Sequence, residues 1–538
     1  MSYPKVVSKE WNNIILPKIE KYKFIISNTP KSSVLTKINN TAGEFKINLV
    51  VNSKTELLIP YLFENHSNNL VNLKLDKTDN QISLLGLVNL KKLRFHFNNY
   101  STNIQYISTV NSIQSQKFKK LSLKISQQYN EILDFEQLLF QSKIENLKIQ
   151  FSKCTRIRNL PVISKFSHLI QLKVYLFNVE VSKDISQLID GCRSLKYLDL
   201  TFVGITHVGG IFESISKSGS LEKVCLDSQF SIVHLNTIVQ CLNRCLYLVE
   251  MKLKYFIITK PNSNERVMIS NSKLEKLDLS ISTVQDRRRI SINQFWNTTS
   301  NMKILIGHKL LKPKFFNSLS LFTSLRTFKF TFPERFVSED NGVSKLIKLN
   351  LTHLKKLSLN INCRLIPQVV VNSIFNDIIE SLHYNTSLDT LKVYGNIDCN
   401  DLSNLISKNL KSIKTLIFLD IFNWNIKELS IAIQKNNYIE KLMICEALDF
   451  NHGVLMTMVR ESISEYVTCL SDIIENNNSL NYLSIVPPRD SESLPQHILD
   501  HFNNVLKNNL TFFNFLNIPT IDRSILSILN KNFVKSNK

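Results

Sequence analysis

Two hydrophobic patterns alternate along the chain. The first is a short triplet, apolar at offsets 0, 3 and 5, as in "SLKYLDLTFVGIT" (194–206), where Leu195, Leu198 and Leu200 carry it. The second has helical spacing: in "SIFNDIIESLHYNTSL" (373–388), Ile374, Ile378, Ile379 and Leu382 share one face of a helix. The triplet recurs with starts at Leu70, Leu90, Phe118, Ile144, Leu169, Leu195, Leu221, Leu248, Leu274, Met302, Leu325, Leu354, Leu388, Ile413, Ile439, Leu480 and Leu510. From Phe118 to Met302 the steps are 26, 25, 26, 26, 27, 26 and 28 residues. So constant a stride marks an internal repeat. Two triplets are weak. Gly307 stands at the third apolar position of the one at Met302, and the one at Ile413 also reads as Leu416, Leu419 and Ile421.

Each period predicts a strand, a loop, a helix and a turn. "QKNNYIEKL", "SKSGSLEKV" and "ENNNSLNYL" put Asn or Gly between a helix and the next triplet, where a left-handed residue would close the helix. Such a unit cannot bury its apolar stripe alone, so successive units must stack. The predicted fold class is α/β: a solenoid bent into a horseshoe, with a parallel concave sheet and helices on the convex side. Strands at all these triplets, about 4.8 Å apart, would make a sheet roughly 80 Å long. The expected organisation is an N-terminal helical cap (1–44), the solenoid (45–517) and a C-terminal cap or tail (518–538).

Strand alternation then selects the candidate surface. Offsets 2, 4 and 6 of each triplet point away from the core. In the early repeats these positions hold Lys74, Lys92, Arg94 and Lys120, then Lys124, Lys148 and Lys173. In the late repeats they hold Ile417, Leu419, Met443, Tyr482 and Val486. The expected surface has two characters: a basic stretch that attracts an acidic partner segment and an apolar stretch that anchors it.

Composition narrows the classes. The 538 residues are 43% hydrophobic and 20% charged, with 11 Gly and 13 Pro, which fits a large packed core. The formal charge of +22 raises an anionic partner, either nucleic acid or acidic lipid, as the alternative to a protein partner. Lysine dominates over arginine and is spread along the chain, which speaks against nucleic acid. Nine cysteines, no secretory leader pattern and no run of 18 apolar residues point to a reducing compartment, the cytoplasm with the nucleus as the alternative.

Catalytic signatures are missing where the chemistry needs them. "HILDH" sets His497 and His501 one helical turn apart, but Ile498 replaces the glutamate a zinc protease uses as base. "CLNRC" places Cys241 and Cys245 four apart, a spacing of buried repeat thiols. "GITHVGG" (204–210) has the glycines of a phosphate loop without its lysine. The expectation is a non-enzymatic chain with no cofactor and no metal.

The triplets resemble the leucine-rich repeat, L-x-x-L-x-L-x-x-[N/C], over roughly residues 45–515. The period and the predicted helices resemble the ribonuclease-inhibitor-like and cysteine-containing subclasses, with Cys192 and Cys245 three residues before their triplets. The ninth position, Asn or Cys in the family, is Asn98, Asn362 and Asn396 here, and is elsewhere Ser126, Ser152, Ser282 or Phe256. The resemblance implies a scaffold for protein–protein recognition. "KVVSKEWNNIIL" (5–16) is similar to the closing helix of an F-box. That likeness implies an adaptor contact through Val7, Trp11 and Ile14, and a substrate-recognition role in a cullin-based ubiquitin ligase. The same residues, with Ile15, also read as an amphipathic cap shielding the first repeat.

Overall fold

A computed structural model of the chain describes residues 22–26, 45–51, 64, 67–76, 84, 86–97, 113, 117–125, 132–137, 143–151, 156–176, 182–203, 208–229, 231–259, 269–279, 283–284, 301–307, 319, 322–332, 342–361, 368–445, 462–485, 494–509, 515–517, 524–525 and 527–528. They belong to two compact units, residues 1–264 and 265–538.

In the first unit every triplet becomes a strand, and each strand pairs in parallel with the next. The order is Tyr22–Ile26, Phe45–Val51, Leu70–Asp76, Lys92–Phe97, Lys120–Ile125, Asn146–Phe151, Gln171–Leu176, Tyr197–Val203, Lys223–Gln229 and Glu250–Lys254. The offset-3 leucines line up across the sheet: Leu73, Leu93, Leu121, Leu147, Leu172 and Leu198 are neighbours in register, all buried. A one-residue slip would turn that whole row to the other face, so burial enforces the register. Strand Tyr22–Ile26 lies inside the segment expected as a helical cap, and it extends the sheet instead. The cap helix itself, with Val7, Trp11 and Ile14, lies outside the described residues.

Helices cover one face of this sheet. Ser182–Gly191, Gly209–Lys217 and Leu235–Arg244 pack in succession, burying Ile211, Phe212 and Ile215, then Ile238, Val239 and Leu242. Phe256, at the ninth position of its repeat, is fully buried with its ring edge-on to Phe202 and Phe212, each 6.1 Å away. Burying one such ring stabilises by about 1.5–3 kcal/mol. Between the earlier strands the described residues form 3-10 turns, Ser67–Asn69, Phe135–Gln137 and Leu160–Lys165. In the last of these Pro161 occupies the first turn, and Ser164 lies so close to Gly191 that any Cβ there would meet its side chain at 2.4 Å.

The second unit repeats the plan with strands Lys276–Asp278, Ile304–Gly307, Thr327–Thr331, Lys356–Asn360, Thr390–Asp398, Thr415–Phe422, Lys441–Cys445, Tyr482–Ile485 and Phe515–Asn517. Its register resolves both weak triplets. Leu305 sits between Leu277 and Phe328, so the repeat at Met302 is in phase despite Gly307. Leu416 sits between Leu391 and Leu442, so the later triplet starts at Ile413. Helices Gln368–Leu382, Cys399–Ser407, Ile426–Gln434, Ile463–Asn476 and Gln496–Asn509 pack side by side on one face. Ser462 starts one of them, accepting a hydrogen bond from the Glu465 amide as a capping box does.

The turns depart from expectation. The asparagines three residues before a triplet were expected to be left-handed caps, and they are not. The described non-glycine residues with positive φ are Asn159, Tyr255, Asn350, Asn409 and Asn423. Asn385, Asn436 and Asn477 act through their side chains instead. Asn436 Nδ2 donates to the Ile406 carbonyl of the preceding helix (2.8 Å), while Oδ1 accepts from the Tyr438 and Ile439 amides (3.0 and 2.9 Å). Asn385 makes the same set with Ile347, Ser387 and Leu388, and Asn477 with Ile433, Ser479 and Leu480. Two of the left-handed residues, Asn350 and Asn409, lie one position earlier, and each accepts, through Oδ1, the backbone amide of the next repeat, Thr386 or Asn437.

Candidate functional site

The site follows from what each strand does with its alternate residues. Leucines point to the helices, so offsets 2, 4 and 6 form the helix-free face of each sheet. In the first unit the register assembles these positions into rows that run across the strands. One row is Asn72, Lys92, Lys120, Asn146, Gln171, Tyr197. The next is Lys74, Arg94, Ser122, Lys148, Lys173, Asp199, and the third ends His96, Lys124, Gln150, Tyr175, Thr201. All seven predicted basic residues therefore share this face. Lys74 neighbours Arg94, Lys92 neighbours Lys120, and Lys148 neighbours Lys173. Arg94, Lys120 and Lys124 are exposed, and the other four are half-buried.

The basic field has an end that sequence reading missed. Lys173 Nζ lies 3.3 Å from Asp199 Oδ2, and the Tyr197 hydroxyl donates to the same oxygen at 3.4 Å. Burial pulls the Lys173 ammonium down, but the Asp199 hydrogen bond and the surrounding negative charge outweigh it and raise the group overall. Burial, reinforced by Asp199, raises the Tyr175 and Tyr197 phenols and pushes the Cys225 thiol up to about 11. Further along, Lys254 lies 3.9 Å from Asp227, and Lys252 lies 3.2 Å from Glu250. From Asp199 onward cations and carboxylates alternate, because acidic residues enter the same outward offsets. Reading offsets 2, 4 and 6 of the Leu195, Leu221 and Leu248 triplets would have exposed that change. Lys91, Lys117 and Lys119 were also missed, since they lie before their strands. All three are exposed, with Lys117 donating to Asn89 and Lys119 paired with Glu145.

Lysine stems lean across the strands. Lys148 Nζ lies 5.1 Å from the Tyr175 ring centre and Lys173 Nζ lies 4.9 Å from that of Tyr197. Cation–π contacts of this kind contribute about 0.5–1 kcal/mol at exposed sites.

In the second unit the predicted apolar residues are also brought together. Ile417 neighbours Met443 in register, with Leu419 two residues along, and all three are half-buried on the helix-free side. Tyr482 follows beside Lys441, whose Nζ lies 4.1 Å from its ring centre. Val486 lies outside the described residues. Ile304 and Ile306 take the same outward offsets earlier in this unit, and Lys392 borders Ile417. Ser484, beside Met443, is buried at 2% exposure.

No group of three or more His, Cys, Asp or Glu residues poised for a metal occurs among the described residues. His497 and His501 are both exposed on helix Gln496–Asn509. Cys245 is a structural thiol: its Sγ donates to the Ile215 carbonyl at 2.8 Å. The adjacent Cys241 thiol is pushed up by its hydrogen bond with Cys245 and by burial. No helix among the described residues is long and apolar enough to cross a membrane.

No family model matches the chain, and no curated protein matches it. Solved structures do. The crystal structure of the TLR13–ssRNA13 complex is 14% identical, covering 90% of this chain and 79% of that one, with a TM-score of 0.41. The crystal structure of the Rad7 and Elc1 complex in yeast is 13% identical, covering 68% of this chain and 79% of that one, with a TM-score of 0.33. The fold of each unit is defined by its own in-register leucine rows beneath a parallel sheet. Each unit has the leucine-rich-repeat fold. The subclass is a separate matter: of the ninth-position residues named above, Phe256 alone has a described side chain, and it packs as core.

Proposed function

We propose that the protein is a non-catalytic recognition scaffold whose first unit docks a polypeptide partner through an acidic segment. One observation carries this reading. The outward positions of strands Leu70–Asp76 to Gln171–Leu176 hold seven lysines and arginines in adjoining rows, and Asp76 is the one acidic residue the sequence puts there. Two cations one strand apart repel by about 1 kcal/mol in water. A stable fold has no need of that repulsion, and an anionic partner would reverse its sign. Such a field governs association rate and specificity more than residence time.

The finer reading makes this scaffold the substrate-recognition component of a cullin-based ubiquitin ligase. It rests on the motif at 5–16, with Val7, Trp11 and Ile14 as the adaptor contact. The compartment proposed is the cytoplasm, where Cys245 would keep the reduced sulfur its hydrogen bond to Ile215 requires. The rival class, a module for nucleic acid or acidic lipid, draws on the same cations. The Tyr175 and Tyr197 rings lie under lysine ammonium groups, which favours a protein partner over stacked bases.

The test uses the full chain, a glutamate-rich peptide, a single-stranded oligonucleotide and phosphatidylserine vesicles. Reversing Lys74→Glu, Arg94→Glu and Lys148→Glu together should slow peptide association about tenfold at low salt and flatten its salt dependence. Unchanged association, or stronger capture of the oligonucleotide or vesicles than of the peptide, overturns the proposal.

A further inference from the structure

We infer that the acidic segment docked on the first unit is an α-helix lying across the strands, with a stripe of carboxylates facing the sheet. This inference rests on the acidic-partner reading above and adds its geometry.

The shape of the basic field comes first. Along any strand it is short, since strands such as Lys120–Ile125 offer three outward positions, about 13 Å at two residues per step. Across the strands it runs from Lys74 through Arg94 and Lys148 to Lys173, four strand spacings or about 19 Å. It stops where Asp199 captures Lys173. The long axis of an anionic ligand must therefore run across the strands. A helix with side chains is about 10–12 Å wide, which matches the short dimension, and about 13 residues of it span about 19 Å.

The pitch decides between helix and extended chain. Cations repeat across the sheet at the strand spacing, about 4.8 Å. A helix returns a side chain to one face every 3.6 residues, about 5.4 Å, so four steps drift from the cation row by about 2.4 Å. Flexible lysine stems absorb a drift of that size. An extended chain presents alternate side chains every 6.6 Å or so, and four steps drift by about 7 Å. Single-stranded nucleic acid has no reason to match either spacing.

The lean of the side chains agrees with this direction. Lys148 reaches over Tyr175 and Lys173 over Tyr197, each toward the following strand, so both ammonium groups sit between neighbouring strands. Exposed Lys120 and Lys124 flank the line, one in the row on each side.

The experiment compares two 18-residue fluorescein-labelled peptides of equal charge by anisotropy against the full chain. One carries glutamates at i, i+3, i+4 and i+7 on an alanine–glutamine background. The other differs by two central alanine-to-proline changes that break the helix. The helical peptide should bind at least tenfold more tightly. The difference should vanish in the Lys120→Glu/Lys148→Glu chain, whose intact fold is checked by circular dichroism, and shrink in Lys120→Ala/Lys148→Ala. Equal binding of both peptides overturns the helical geometry while leaving the acidic-segment reading in place. Binding of neither overturns both, as does tighter binding of an 18-nucleotide single strand.

Discussion

The two units solve one problem in different ways. Each repeat must be tied to the one before it at the end of its helix, where carbonyls are left without partners. In two repeats of the first unit the residue three places before the triplet is a cysteine, Cys192 or Cys245. There the turn closes on backbone, with the Leu195 and Leu248 amides donating to the Cys192 and Cys245 carbonyls, and the Cys245 thiol reaches back to Ile215. In three repeats of the second unit the same place holds Asn385, Asn436 and Asn477, whose amides serve three or four backbone groups each. A thiol donates one weak hydrogen bond, whereas a carboxamide accepts and donates at once. The lesson is that one repeat geometry accepts either chemistry, with different amounts of energy invested in the joint.

Substitutions at the joints test that difference. Asn436→Ala would take one of its donors from the Ile406 carbonyl, which keeps the Asn409 amide, and leave the Tyr438 and Ile439 amides without their acceptor, at a cost of about 2–3 kcal/mol. Hydrogen exchange at those two amides should accelerate by at least a hundredfold, more than at the far end of the same unit, because repeat stacks open locally. Cys245→Ala removes the weak thiol bonds to Ile215 and Cys241 and a small buried volume, so about 1 kcal/mol is expected from urea unfolding. If the two substitutions cost the same, the contrast between the joints is wrong. The smallest effect belongs to the charged ladder at the sheet edge. Lys196 donates to Glu222 at 2.7 Å, but both side chains are about half exposed, and the double change to Ala should shift stability by no more than about 0.5 kcal/mol.

The faces differ as the joints do. The first unit presents cations in adjoining rows until Asp199 ends them. The second intersperses Lys392 and Lys441 with Ile417, Leu419 and Met443. The contrast between the faces comes from outward offsets that the core does not constrain, which is why one repeat plan carries two surfaces.

Much of this was legible from residue order. The triplets became strands, their stride became the register, and every predicted face residue with a described side chain lies on the helix-free side. The asparagines were seen as turn residues, but their role was misjudged. A local rule finds an asparagine after a helix and assigns it a left-handed backbone, whereas Asn436 reaches Ile406, 30 residues earlier. Lys173 was expected to belong to an open basic field, and Asp199 is 26 residues away in the chain yet next to it across the sheet. Among the described residues, the 3-10 turn Leu160–Lys165, with Pro161 in its first turn, was not foreseen.

Sequence alone determined the repeat, its phase and the direction of each strand side chain, because alternation and burial are properties of a few consecutive residues. Tertiary structure decided which residues become neighbours across strands, and so which lysines remain open to a partner and which are already neutralised. Those pairings join positions one repeat apart, and they exist once parallel stacking has set the strands side by side.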